Sequence, residues 1–171
     1  MKQPFDLPDA RMRKAIHALP WAFALHNLEE TVGMEAWTHK IPSFVHAPVS
    51  TLQFAFAVAI FTILGFGVVY FRRPYPNQDS FFKVVSGFAG MLLLNVLFPH
   101  LLATILLRQY APGVVTGLLL NLPLTLFILI RGIRLGWISV RGAVLASLCG
   151  GVVGAFLAAA LLQVGRLIMP Y

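Results

Sequence analysis

Five long runs of apolar residues dominate the sequence, and short polar stretches separate them. Each run holds about 20 residues or more, which is the length at which an α-helix crosses the hydrocarbon core of a bilayer. The predicted helices are 15–37, 49–71, 81–107, 112–133 and 141–169. This pattern predicts an all-α fold, a polytopic membrane helical bundle of about five transmembrane helices.

Composition supports the same class of protein. Of the 171 residues, 58% are hydrophobic and only 11% are charged, which is typical of a chain whose solvent is a bilayer. The polar breaks are too short to hold a second folded domain. We therefore expect one membrane domain over residues 1–171, in which residues 1–14 form a short cytoplasmic N-terminal segment.

The basic residues lie at the ends of the apolar runs, and their distribution predicts the orientation of the chain. In the five-helix arrangement ten of the 13 Lys and Arg lie on one side, and Lys40, Arg108 and Arg166 lie on the other. Loops rich in Lys and Arg stay in the cytoplasm, so the N-terminus is predicted to be cytoplasmic and the protein to be a multi-pass protein of the bacterial inner membrane. The basic residues form no patch with interleaved aromatics, which argues against a nucleic-acid partner.

The first apolar run is the least hydrophobic of the five, and it contains three ionisable residues on one face. His26, Glu29 and Glu30 are three and four residues apart, so a helix places them on one stripe. An acidic side chain at the centre of a bilayer costs ~2.5–3.5 kcal/mol on insertion scales, so this stripe must face protein, water or a cation. An arrangement of four crossings, with the first helix on the membrane surface, is the alternative.

Polar residues of the third and fourth predicted helices lie at a similar depth. Asn95, His100 and Asn121 fall in the predicted outer half of the bilayer, as the acidic stripe does. Pro99 and Pro123 remove backbone donors beside His100 and Asn121, and opened backbone is tolerated at this depth mainly where it lines a cavity. Asn95 and His100 would point about 140° apart on a straight helix, so a kink or a wide turn is needed if both face one cavity.

These positions predict a polar pocket in the outer half of the bilayer. Trp37 lies on the stripe of Glu30 and can roof the pocket, and Arg108 lies at the outer end of the third helix, where an arginine usually extends to the interface. Tyr110 is expected to be an interfacial anchor. The residues predicted to bind substrate are Asn95, Asn121, Arg108 and Trp37. The last helix carries a face of small residues, predicted to be a packing seam: Gly150, Gly151, Gly154, Ala155, Ala158 and Ala159.

Several motifs occur in a fixed order along the chain. They are Leu25-His26-Asn27-Leu28-Glu29-Glu30, Asn95-x-x-x-x-His100, Arg108-Gln109-Tyr110-Ala111-Pro112-Gly113-x-x-Thr116 and Leu122-Pro123. Together they resemble the signature of the bacterial membrane proteins named for the H-x-x-E-E motif, over roughly residues 21–124. The resemblance implies that the motif is a suspected catalytic site, in a family with no established biochemical activity.

The first hypothesis is a metal-dependent membrane enzyme that acts on a lipid-like or hydrophobic substrate. His26, Glu29, Glu30 and His100 are its predicted metal ligands and catalytic residues, and one glutamate can instead serve as a general base. Imidazole with carboxylate suits a divalent zinc or iron ion, and a catalytic ion keeps an open position for water or substrate. The spacing differs from H-E-x-x-H, so the mechanism of the zinc proteases does not transfer.

Other hypotheses use the same residues differently. Clustered carboxylates in an apolar pocket suit a metal-free isomerase that transfers protons on a lipid-like substrate. An intramembrane ionisable cluster also marks ion, proton or lipid carriers, and His26 with His100 can hold a haem. The remaining alternative is a buried polar network that only fixes helix packing. The sequence leaves the oligomeric state open.

Overall fold

The computed structural model describes Leu7, residues 9–43 and residues 47–169. Within these residues every regular element is helical and no strand forms. The five helices are α1 (Ala10–Thr38), α2 (Thr51–Tyr70), α3 (Gln78–Leu107), α4 (Val114–Arg134) and α5 (Val140–Ile168). Helices α2 to α5 are each long and apolar enough to cross a membrane. The prediction of an all-α membrane bundle is therefore confirmed.

Capping side chains set the helix starts and move the predicted boundaries by a few residues. The carboxylate of Asp9 accepts from the N–H of Met12 at 2.7 Å, so α1 begins at Ala10 rather than at residue 15. Ser50 and Ser139 cap α2 and α5 in the same way, because the first N–H groups of a helix have no partner inside it. The predicted segment 1–14 is thus helical from residue 10 onward, while residues 1–6 and 8 lie outside the described residues.

Helix α1 runs antiparallel to α2 along its whole length. Near one end the hydroxyl of Tyr70 donates to the carbonyl of His17 at 3.2 Å. Near the other end the carboxylate of Glu35 accepts from the N–H of Thr51 at 2.8 Å. Since contacts at both ends align the two helices, α1 stands beside the apolar helices as a fifth member of the bundle. The alternative with α1 lying across the membrane surface does not match this packing.

Residues predicted to face the cytoplasm meet at one end of the bundle. Nε of Arg131 donates to the carboxylate of Asp9 at 3.1 Å, and a guanidinium nitrogen of Arg72 lies 3.0 Å from Nε2 of His17. Arg166 lies at the opposite end, where it donates to backbone carbonyls just before α2. The helices therefore alternate in direction as the five-helix arrangement requires. The assignment of the basic end to the cytoplasm stays a prediction.

Helices α3 and α5 approach closely over the first half of α3. Gly87 and Gly150 face each other there, and a Cβ on Gly150 would collide with the backbone of Gly87. Small residues at such a crossing let two helix backbones touch. Farther along, α3 widens into a π-helical turn over Val96–Leu101, and Phe98 has non-helical angles (φ −120°, ψ 103°). A cavity adjoins this turn and is lined by residues of α1, α2, α3 and α5.

Candidate metal centre

Helix α1 supplies two buried side chains on one stripe. His26 is fully buried and Glu30 is 8% exposed, and they are one helical turn apart. Oε2 of Glu30 lies 4.0 Å from Nε2 of His26. The pattern of the first helix predicted this shared face, and packing against α3 and α4 turns that face into the bundle.

The wide turn of α3 brings Asn95 and His100 together. Pro99 has no N–H to donate to the carbonyl of Asn95, and the helix is π-helical at this point. Nδ2 of Asn95 lies 3.0 Å from Nε2 of His100, although a straight helix would point the two side chains about 140° apart. The turn that the sequence required for convergence is therefore present.

The stripe of α1 and the turn of α3 meet in one buried group, the His26–Glu30–His100 cluster. Oε1 of Glu30 lies 3.2 Å from Nε2 of His100, and the ligand atoms of the three residues lie within 4.8 Å of one another. Nδ2 of Asn95 is 3.0 Å from Nε2 of both histidines. Two imidazoles and one carboxylate are a donor set that zinc and non-haem iron accept.

The ring geometry disfavours a haem held by the two histidines. The rings of His26 and His100 stand edge to face, with centroids 4.8 Å apart and an interplanar angle of 88°. Axial ligands of a haem lie on opposite faces of the porphyrin, so its plane would have to pass between these two rings. That spacing leaves no room for the macrocycle.

Glu29 lies outside the cluster and holds the start of α4. Its Oε1 accepts from the hydroxyl of Tyr110 at 2.5 Å and from the N–H groups of Gly113 and Val115 at 3.1 and 3.2 Å. Its Oε2 accepts from the N–H of Thr116 at 2.7 Å and from the hydroxyl of Thr116 at 2.5 Å. Glu29 was predicted as a ligand, yet its carboxylate caps a neighbouring helix, whose first N–H groups lack partners.

Gly113 lets α4 approach the cluster. Its φ is +90°, a left-handed conformation that only glycine adopts without strain, and α4 begins at Val114 rather than at residue 112. A Cβ at this position would lie 2.8 Å from Cε1 of both His26 and His100 and 2.9 Å from Cγ of Glu30. No larger residue fits against the cluster without moving it.

A cavity of about 670 Å³ adjoins the cluster in the half of the bundle away from the basic end. Glu30, Asn95 and His100 form part of its wall, and Asn27 and Trp37 add further polar atoms. The rest of the wall is apolar and includes Phe54, Phe61, Met91, Phe98, Val152 and Leu162. Most of the small residues of α5 also line this cavity. The predicted packing seam therefore both packs against α3 and forms part of the cavity wall.

The cavity opens on the flank of the bundle between α3 and α5. Phe98 of α3 and Val152 of α5 line it and are 59% and 71% exposed at the surface of the bundle. Ala155 and Ala159 of α5 line it and are exposed as well. Because α3 and α5 both have the length and hydropathy of membrane spans, this opening faces the space that lipid chains occupy.

The other predicted substrate-binding residues have different positions. Asn121 is fully buried in a π-helical turn of α4 but makes no hydrogen bond with the described residues and does not line the cavity. Arg108 is exposed at the end of α3, away from the cavity wall. Trp37 does line the cavity, and its Nε1 is buried without a partner among the described residues.

Sequence reasoning missed two residues that contact the motif directly. Tyr110 donates to Glu29 while half of its surface stays exposed, so it is more than an interfacial anchor. Thr116 bonds to both Glu29 and His26. Both residues belong to the motif that runs from Arg108 to Thr116, and this membership was the sequence feature that could have identified them. Their residue types alone did not indicate a contact with α1.

These features define the class: an all-helical membrane protein with a buried His/Glu/His cluster beside an intramembrane cavity. The family model described as "Protein of unknown function with HXXEE motif" matches residues 17–128, and the chain belongs to this family. A relative in Bacillus subtilis (strain 168), "Uncharacterized protein YrkK", is 32% identical over 150 residues, which cover 88% of this chain and 94% of the relative. No solved structure matches the chain. The matched residues contain the whole cluster, Tyr110 and Thr116.

Proposed function

We propose that this protein is a membrane-embedded, metal-dependent enzyme that acts on a lipid-like substrate. One observation carries the proposal: the ligand atoms of His26, Glu30 and His100 converge within 4.8 Å beside a mainly apolar cavity, which Glu30 and His100 line. A buried carboxylate between two imidazoles is expensive in a membrane unless a cation or a proton compensates it.

The donor set fits a catalytic rather than a closed structural site. Three protein ligands would leave a divalent zinc or iron ion an open position, and two of them, Glu30 and His100, line the cavity. A bound ion would supply Lewis acidity toward an oxygen of the substrate. His26 does not line the cavity, so it anchors the site from behind.

The cavity wall supports a lipid-like substrate. Its volume of about 670 Å³ falls in the range of ~300–1,000 Å³ that small-molecule sites occupy, and its wall is mainly apolar. The lateral opening between α3 and α5 gives access from the bilayer. Trp37 lies seven residues beyond Glu30 on α1, about 10 Å along the axis. Its indole N–H has no partner in the described part of the chain and can bind a substrate oxygen.

Elemental analysis of the purified protein tests the metal centre. We expect about one zinc or iron ion per chain in the wild type, and loss of that ion in His26→Ala and Glu30→Gln, because each removes a ligand. The matched control is Glu35→Gln, which removes a carboxylate of the same helix that bonds to Thr51 outside the cluster. Folded wild-type protein that stays metal-free after incubation with Zn²⁺ or Fe²⁺ would overturn the metal centre.

The contact between Glu30 and His100 supports a second candidate, which is proton transfer without a metal. Their Oε1 and Nε2 atoms are 3.2 Å apart at the cavity wall, so one proton can be shared between them and passed to a bound substrate. This candidate predicts hydrogen exchange into a lipid-like substrate by metal-free protein. Absence of such exchange in chelator-treated wild-type protein that regains activity with Zn²⁺ would exclude it.

A further inference from the structure

The hydroxyl of Thr116 lies between Glu29 and His26. Its Oγ1 is 2.5 Å from Oε2 of Glu29 and 3.1 Å from Nδ1 of His26. A threonine hydroxyl has one proton to donate, and an ionised carboxylate only accepts. Four other donors already surround Glu29 as an acceptor, so the proton of Thr116 is directed to Glu29 as well. Oγ1 then accepts a hydrogen bond from the N–H at Nδ1 of His26.

This assignment fixes the tautomer of His26. A neutral imidazole protonated on Nδ1 has a lone pair on Nε2, and Nε2 is the atom that faces the cluster. Nδ2 of Asn95 lies 3.0 Å from that lone pair and donates to it. The second hydrogen of the same amide points to Nε2 of His100, also at 3.0 Å. Both Nε2 atoms therefore accept from the amide of Asn95 in the metal-free site, so neither of them carries a proton.

Glu30 therefore faces an acceptor nitrogen of His100. Nε2 of His100 and Oε1 of Glu30 are 3.2 Å apart and both carry lone pairs. Lone pairs that converge in a buried site repel one another unless a cation or a shared proton lies among them. A cation bound here would replace the amide of Asn95 as the partner of the two Nε2 atoms.

From this chain of bonds we infer that Glu29 is a positioning residue. Its carboxylate acts through Thr116 to fix the tautomer of His26, which leaves Nε2 of His26 unprotonated and able to bind a cation. We call the chain Glu29–Thr116–His26 the relay. The inference about the tautomer stands on the hydrogen bonds alone, while its purpose in metal binding rests on the proposed function. It gives the two glutamates of the motif different tasks, since Glu30 belongs to the cluster and Glu29 orients it.

Nitrogen-15 NMR of histidine-labelled, metal-free protein tests the tautomer directly. We expect His26 to be protonated on Nδ1 in the wild type and in Thr116→Ser, which keeps the hydroxyl. Thr116→Val is nearly isosteric and removes only the hydroxyl, so we expect it to populate the Nε2-protonated tautomer. Thr125→Val is the control, because the hydroxyl of Thr125 donates to the carbonyl of Leu122 on the same helix. A wild-type His26 protonated on Nε2, or a Thr116→Val spectrum identical to that of the wild type, would overturn the relay.

Titration of the same proteins with Zn²⁺ separates the relay from the metal centre. Loss of a supporting hydrogen bond weakens metal affinity roughly 10- to 100-fold in known sites, so we expect that loss in Thr116→Val, with rescue in Thr116→Ser. Glu29→Gln should weaken affinity at least as much, and its thermal stability is measured in parallel because it also uncaps α4. Wild-type protein with the expected tautomer but no Zn²⁺ binding refutes the metal centre and leaves the relay intact. Zn²⁺ binding that Thr116→Val leaves unchanged refutes the purpose of the relay.

Discussion

At the scale of single residues, Glu29 and Glu30 show that adjacent positions on a helix can place the same type of side chain in different surroundings. Neighbouring residues of an α-helix point about 100° apart, so the two carboxylates leave α1 in different directions. Glu30 lies one turn from His26 and joins the cluster. Glu29 points to the first N–H groups of α4. Two identical residues of one motif therefore have different roles: Glu30 is part of the cluster, and Glu29 caps α4.

Gly113 gives a prediction at the same scale. In Gly113→Ala the new Cβ must move His26, His100 or Glu30, and the left-handed backbone adds strain of ~1–3 kcal/mol. We expect a lower melting temperature in detergent and loss of Zn²⁺ affinity. Gly136→Ala is the control, since Gly136 also has a positive φ of +70° but nothing lies within 4 Å of its Cβ position. Gly136→Ala should lose stability and keep its affinity. Equal affinity losses in both variants would contradict direct contact with the cluster.

At the scale of helices, the turn in α3 forms both the cluster and its access. Before the turn, Gly87 and Gly150 hold α3 against α5. At the turn, the backbone around Phe98 leaves helical geometry and presents His100 to α1. Phe98 in the turn also borders the open side of the cavity, opposite Val152 of α5. One local break in a helix therefore has two consequences for the site.

The opening predicts that lipid chains enter the cavity and reach Trp37. In a background with Trp21→Phe and Trp137→Phe, the fluorescence of Trp37 should be quenched in vesicles of phosphatidylcholine with brominated acyl chains. Ala155→Phe should reduce that quenching, because Ala155 lines the cavity at its exposed edge. Ala160→Phe, on an exposed part of α5 outside the cavity wall, is the control. Equal quenching in both phenylalanine variants would contradict entry between α3 and α5.

At the scale of the whole molecule, contacts at both ends hold α1 upright in the bundle. Asp9 and Arg131 join the start of α1 to the end of α4 at the basic end, and Glu35 and Thr51 join α1 to α2 at the other. Between these contacts Met12, Ile16, Leu19 and Phe23 are buried in the main hydrophobic core. A helix too polar to be recognised as a membrane span by hydropathy is therefore fixed by its neighbours.

The pair of Asp9 and Arg131 predicts a dependence of stability on pH. The hydrogen bond from Arg131 lowers the pKa of the Asp9 carboxyl from 3.8 to about 2. A lowered pKa in the folded state means that the stabilisation is complete above pH 3.8 and is lost as the pH falls toward 2.

The melting temperature of the wild type should exceed that of Asp9→Asn at neutral pH, and the difference should shrink as the pH falls from 3.8 toward 2. Asp79→Asn, a change at an exposed first-turn residue of α3, is the control. A difference that is constant with pH would contradict the ion pair.

The sequence by itself determined the class of protein, the number of helices and the face that carries the motif. These features are local, because helix length and the positions that share a face follow from the order of residues alone. It also required a wide turn at Pro99 if Asn95 and His100 were to meet, since proline removes a backbone donor wherever it stands in a helix.

Only the tertiary structure decided which polar residues meet. The rotation of each helix about its own axis depends on its neighbours, so periodicity could not tell that Glu30 joins the histidines while Glu29 caps α4. The same reason keeps the equally buried Asn121 away from the cluster and brings Thr116, whose motif gave no partner for it, against His26. The cavity is also a tertiary feature, because its wall combines residues of α1, α2, α3 and α5.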